Sequence, residues 1–209
     1  MATTKLTVFN LSLLELGERA LASLSEARPS RYALDAVYDG ALLYALEQGL
    51  WNFGLRAQEI AYDPGVTPSF GYDYAMEKPS DLVRLNTLTT DASGLMPLEE
   101  FADEAGYWYA NSDAFYTTYV SSDASYGLDL TLWPATFERY FVLLLAERIC
   151  SRETAAESKL ERLKRDCKKA LIDARSKDAM AGPNYFRAKS NWMRARNSGS
   201  RMSGTGRGL

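Results

Sequence analysis

The stretch TAAESKLERLKRDCKKALIDA, residues 154–174, decides how the chain folds. Leu160, Leu163, Cys167, Ala170 and Ala174 recur in steps of three, four, three and four, and most residues between them are charged. That period lines one stripe of an α-helix, and so narrow a stripe is the seam of an antiparallel helix pair. Thr154 to Glu157 has the form of a capping box that opens the helix. The basic residues from Lys159 to Lys177 alternate with Glu161, Asp166 and Asp173, which reads as a solvated outer face.

The partner of that seam lies just upstream. Pro134 suits a first helical position after Trp133, and Phe137, Phe141, Leu144 or Leu145, and Ile149 keep one face apolar. Near the start of the chain, Leu6, Phe9, Leu13 and Leu16 fall at helical spacing over Thr4 to Leu16, with Gly17 as a natural C-cap. Leu21 and Leu24 sit in the connection that follows. Arg28-Pro29-Ser30 opens a second helix, with Tyr32, Ala36, Leu42 or Leu43, Leu46 and Leu50 along its apolar side and an end near Gly49 to Trp51. The four helices are predicted at about 4–17, 28–50, 134–150 and 153–180.

Between the pairs the texture changes. Asp63-Pro64-Gly65, Pro68 and Pro79-Ser80-Asp81 are turn signals, and Tyr62, Phe70, Tyr72 and Tyr74 crowd around Gly71. Leu82, Val83, Leu85 and Leu88 follow. Tyr107-Trp108-Tyr109 and Phe115 to Val120 are aromatic and β-branched, the composition of short strands. The predicted fold is therefore mainly α with a β-rich insertion (α+β). An antiparallel bundle over residues 1–181 carries the insertion at about 55–132, and an extended basic arm occupies 182–209.

Composition narrows the chemistry. The chain has 209 residues, 46% of them hydrophobic, enough for a core of ordinary size. Histidine is absent, which removes imidazole acid–base catalysis, Ser-His-Asp and Cys-His nucleophile systems and imidazole metal ligands. No phosphate-binding loop, dinucleotide fingerprint or EF-hand pattern occurs. Glu99-Glu100 and Asp103-Glu104 are adjacent acids of the kind that solvate a surface loop, so no catalytic residue, cofactor or metal is expected. Cys150 and Cys167, seventeen positions apart, match no zinc or redox motif and fall at apolar helix positions, as buried reduced thiols do. No apolar run is long enough to span a membrane, and the N-terminus lacks a signal-peptide pattern, so a protein made in and acting from a cytoplasm is expected.

Charge is segregated. Residues 1–150 carry 9 basic and 21 acidic residues, net −12, whereas residues 151–209 carry 15 and 6, net +9. Such a dipole suits head-to-tail or ring assembly, and equally a solvated acidic body with a basic tail. After Asp178 no acid remains. Residues 197–209 are too polar to bury a core, but Tyr185, Phe186 and Trp192 stand among Arg187, Lys189, Arg194 and Arg196. Trp, Tyr and Arg are the usual anchors of interfaces, so Pro183 to Arg196 reads as an arm that docks on a partner. Packing on its own domain is the alternative. Arginine interleaved with aromatics also occurs in single-strand nucleic-acid binders, but a pI near 5.2 and the absence of a recognition motif weigh against that.

Several of these pieces, in this order, resemble the tail tubular protein A and head-to-tail adaptor family of tailed phages. They are Asn10-Leu11 through Leu16-Gly17-Glu18; Tyr38-Asp39 and Leu46 to Trp51-Asn52-Phe53; and Tyr74 to Arg84 with Pro79, Asp81 and Arg84 in matching places. Further on come Phe115 to Val120 as a central strand, Leu132 to Ile149 ending Leu-Ala-x-x-Ile, Ala174-Arg175 to Ala179 as the closing helix, and Trp192 to Arg196. The resemblance spans most of residues 5–196 and departs at Glu77-Lys78, where the family more often has an apolar residue.

It implies a structural, non-enzymatic virion protein, assembled in the host cytoplasm and placed at the neck or tail. Twelve copies would form a ring beneath the portal, above the tail nozzle or tail tube protein, with genomic DNA passing through the channel without specific binding. The portal-docking residues it implies are Tyr185, Phe186, Arg187, Lys189, Trp192, Arg194 and Arg196. A neck or head-completion protein of a long-tailed phage remains the neighbouring reading.

Overall fold

The computed structural model describes residues 3–94, 97–153 and 157–181. Its helices are α1 (Lys5–Leu16), α2 (Pro29–Glu47), α3 (Ala135–Glu153) and α4 (Glu157–Ala181), and the insertion holds strands β1 (Leu55–Ala61), β2 (Tyr74–Glu77), β3 (Leu82–Thr89), β4 (Ala102–Glu104), β5 (Tyr107–Ala110) and β6 (Ala114–Ser121). The fold is mainly α with a β insertion, as the residue pattern predicts. The capping box lies largely outside the described residues.

The helix ends show how local chemistry and distant contacts combine. Thr4 caps α1, its hydroxyl accepting the Thr7 N–H at 3.2 Å. Gly17 ends α1 in the left-handed region at φ 73°, a conformation an L side chain resists, and its N–H and that of Glu18 bond back into the last turn. Neither α1 nor α2 has a basic residue in its last turn. Cations from elsewhere serve instead: Lys159 of α4 donates to the Leu16 carbonyl at 2.5 Å, and Arg84 of β3 to the Glu47 carbonyl at 2.9 Å. Each satisfies an orphan carbonyl at the negative end of a helix dipole.

α3 is the hub, packing against α1, α2 and α4. Periodicity gave it one apolar face. In the fold Phe137, Tyr140, Phe141, Val142, Leu143, Leu144, Leu145, Ala146, Ile149 and Cys150 are all buried, because helices surround it. The stripe of α4 lies where its spacing puts it, with Leu163, Cys167, Ala170 and Ala174 buried and Leu160 partly so. Burial pushes the Cys167 thiol up to about 12, and no disulfide joins it to the buried Cys150.

The apolar side assigned to α2 holds at Leu42 and Leu46 and requires correction elsewhere. Tyr32, Leu43 and Leu50 are exposed, as is Ala36, while the buried stripe is Ala33, Leu34, Tyr38, Ala41, Leu42, Ala45 and Leu46. Small alanines let α2 approach α3 closely, and Tyr38 fills the remaining space edge-on to Phe9 and Phe141, at 5.6 and 5.5 Å. The helix also stops at Glu47, earlier than expected.

The insertion forms two antiparallel three-stranded sheets, in the orders β1-β6-β3 and β2-β5-β4. β6 is central in its sheet, and Phe115, Thr117 and Tyr119 face inward at the strand period of two. A second, smaller core gathers Ile60, Met76, Leu88, Trp108, Ala110 and Phe115. The tyrosines expected to crowd do so only in part: Tyr62 and Tyr74 meet at 5.1 Å, but Phe70 is 87% exposed. Past β6 the chain turns at Gly127. A Cβ there would lie 2.3 Å from the Ser121 carbonyl, so only glycine fits beneath the Trp133 indole, which donates to the Gly127 carbonyl at 3.0 Å.

Candidate assembly surface

The residues of interest gather where the insertion meets the bundle. Trp51 follows α2 in extended conformation and is 1% exposed. Its indole donates to the Ala45 carbonyl at 3.0 Å, meets Phe137 edge-on at 4.8 Å and stacks on Phe53 at 6.2 Å. Between the two aromatics, Asn52 reaches outward to the last turns of α4. Its backbone N–H donates to both Asp178 carboxylate oxygens, at 3.1 and 3.2 Å, and its side-chain amide to the Asp178 carbonyl at 2.7 Å. Burial pushes the Asp178 carboxyl above its ordinary range, against the lowering effect of the two Asn52 donors. The end of α4, from which the basic arm departs, is thus held to the start of β1.

Pro79, Asp81 and Arg84 anchor the other side of this junction. Asp81 accepts from Arg56 at 2.8 Å and from the Tyr119 hydroxyl at 3.1 Å, and also from the Ser121 hydroxyl, so one carboxylate ties β1 and β6 to the loop entering β3. Burial raises its pKa, but the donors from Ser121, Arg56 and Tyr119 outweigh that and leave it below the usual carboxylate range. Tyr119, buried and facing that charge, is pushed up to about 12. The departure at Glu77-Lys78 is locally absorbed. Lys78 pairs with Asp103 at 2.5 Å, holding that carboxyl low together with the Trp108 indole N–H, while Glu77 stays exposed.

Charge is the dominant surface property of the insertion. Residues 55–132 contain 13 acidic residues and 3 basic ones, net −10. All three cations are engaged internally: Arg56 with Asp81, Lys78 with Asp103, and Arg84 with the end of α2. Strand register arranges part of the remaining charge. Glu77, Tyr107 and Glu104 form one row across β2, β5 and β4, and Tyr109 lies one row along on the same face, its ring 6.3 Å from that of Tyr107. Glu99 and Glu100 are exposed, in keeping with solvation.

Within the bundle α4 carries the opposite sign, with 8 basic and 5 acidic residues, net +3. α4 turns Arg165, Lys168, Lys169 and Ile172 away from its buried stripe, and Ile172 is 65% exposed. Among the described residues none of these three cations forms an ion pair within 4.0 Å. The predicted docking residues Tyr185, Phe186, Arg187, Lys189, Trp192, Arg194 and Arg196 lie outside the described residues. Sequence reasoning missed Asn52–Asp178, a contact between residues 126 positions apart that carries no local signal.

Among the described residues no helix is long and apolar enough to cross a membrane, and no group of three or more Cys, Asp or Glu side chains is arranged to hold a metal ion. No protein-family model matches the chain, and no curated protein matches it either.

Proposed function

We propose that this chain is a structural subunit of a phage head-to-tail adaptor ring that docks on the portal, connects to the tail and lines part of the DNA channel. The observation that carries this reading is charge segregation built into the architecture. An acidic β insertion whose cations are all internally engaged sits on a helical body with a basic outer helix and a basic arm. An acidic wall repels phosphates, so duplex DNA slides past it without sticking. Opposite charges on one subunit favour head-to-tail contacts that close into a ring.

Two of the clusters that carry the family resemblance, Trp51-Asn52-Phe53 and Pro79 to Arg84, support it as well, since they meet at one junction. Trp51 and Phe53 pack on α3, Asp81 binds the sheet, and Arg84 caps α2. The adaptor would act by assembly rather than bond-making. Any part of the arm that orders on docking costs about 1–2 kcal/mol per residue in backbone entropy, so free subunits, which can meet weakly in pairs, close no stable ring until a portal ring supplies grooves that offset it. The test is light scattering on the purified chain with and without portal rings. Ring formation on the portal, lost when the chain is cut after Gly182 although the helical body stays folded, is the expected result. Unchanged portal binding by the shortened chain refutes the docking arm, and no binding by the full chain refutes the adaptor reading.

A further inference from the structure

We propose that the outer face of α4 is the docking surface for the β2-β5-β4 sheet of a second copy of this chain. The inference rests on the ring reading and names the contact between neighbouring subunits.

α4 commits one side to the bundle through Leu163, Cys167, Ala170 and Ala174. Among the described residues its opposite side is exposed and meets no partner, yet it is more than a solvated stripe. Arg165, Lys168 and Lys169 surround Ile172, an apolar side chain left 65% exposed among cations that no carboxylate pairs among the described residues. A lone exposed isoleucine is unremarkable; one framed by three cations on successive turns has the make-up of an interface with an apolar centre and a charged rim.

The outward row of the β2-β5-β4 sheet is its complement. Glu77 and Glu104, both exposed, flank the half-buried Tyr107, whose hydroxyl donates to Asp63 at 3.4 Å, and the half-buried Tyr109 extends the aromatic edge along the same face. Tyrosine rings receive both an apolar side chain and a cation, and the flanking carboxylates supply the ion pairs. The insertion has no spare cation of its own to neutralise Glu77 and Glu104, since Lys78 is bound to Asp103, Arg56 to Asp81 and Arg84 to the Glu47 carbonyl. The two surfaces lie on different parts of one subunit, so the contact is heterologous and propagates from copy to copy, as a ring requires.

The test is a charge swap in the full chain. One variant carries Arg165→Glu and Lys169→Glu; the other carries Glu77→Lys and Glu104→Lys. All four side chains are exposed, and circular dichroism verifies the fold of each variant. Sedimentation equilibrium at low ionic strength should show concentration-dependent association of the wild type, weakened at least about tenfold in each variant alone and restored when the two are mixed, because each reversed surface meets a complementary one. Association unaffected by either reversal, failure of the mixture to recover, or a wild type that stays monomeric throughout overturns the contact. Portal binding is read separately. Self-association by this contact in a chain that binds no portal leaves the inference standing without the adaptor reading, whereas portal rings indifferent to both reversals do the opposite.

Discussion

Replacing Trp51 with alanine should remove a large part of the stability of the protein. The side chain is 1% exposed and wedged between Phe137 at 4.8 Å and Phe53 at 6.2 Å. Truncating a buried Trp to Ala costs about 3–5 kcal/mol through lost transfer energy and the cavity left behind. The lost indole hydrogen bond adds little, because the Ala45 carbonyl keeps the Gln48 N–H as a donor at 3.3 Å and is not orphaned. Against a total of about 5–15 kcal/mol, this is about a fifth or more of what holds the fold. With a urea slope of about 2–3 kcal/mol/M, the unfolding midpoint should fall by about 1–2.5 M at unchanged slope. Trp51→Phe, which keeps an aromatic ring against Phe137, should lose less than half as much. A midpoint shift under about 0.3 M for Trp51→Ala, or equal losses for the two variants, would refute the assignment of this ring as the packed link between α2, α3 and β1.

Two further outcomes follow from the buried polar groups. Asp81→Asn should cost about 1.5–3 kcal/mol at neutral pH, because Arg56, Ser121 and Tyr119 lose a charged acceptor. The folded-state pKa of Asp81 is depressed, so its contribution is complete above the unfolded value of about 3.9 and is lost as pH falls through the folded value. Denaturation curves of wild type and variant should therefore converge in acid. Asp178, whose pKa is raised, acts in the opposite direction but cancels in that comparison, and a gap that persists unchanged below pH 3 by about the same amount would contradict the network. Cys167, with its pKa pushed to about 12, and the equally buried Cys150 should resist a thiol reagent at pH 8 in the native state and react fully in urea, and rapid native labelling would count against the burial.

How much of this was legible in the sequence depends on the range of the interaction involved. The seam of α4 was legible because one face is apolar and the others are charged, so spacing alone fixes the phase. α2 was not, because it has apolar residues nearly all round. Tyr32, Ala36, Leu42 or Leu43, Leu46 and Leu50 make as good a stripe on paper as Ala33, Leu34, Tyr38, Ala41, Leu42, Ala45 and Leu46, and the two share only Leu42 and Leu46. What selects the second is close approach to α3, where small residues fit and Tyr38 reaches Phe141. Tyr32 instead lies outside, under the Arg31 guanidinium at 3.9 Å. β1 was hidden for a related reason. Arg56, Gln58 and Glu59 are poor strand formers by composition, and the strand exists because β6 offers a ladder from Leu55↔Val120 to Ala61↔Ala114.

The junction shows the same division more sharply. Trp51, Asn52 and Phe53, and Pro79, Asp81 and Arg84, stand out in the sequence as short clusters, but nothing in either cluster says what its members touch. Asn52 binds Asp178 and Arg84 binds Glu47, contacts with no periodic signature because they close long loops. Their placement has a physical logic all the same. α1 and α2 end without basic residues of their own, so each negative helix terminus takes a cation from an element that must be docked correctly to supply it, Lys159 from α4 and Arg84 from β3. Cation and carbonyl meet only when the bundle and the insertion are assembled in register. These polar ties therefore discriminate the native arrangement from compact alternatives that would bury the same apolar surface but leave both helix ends unsatisfied.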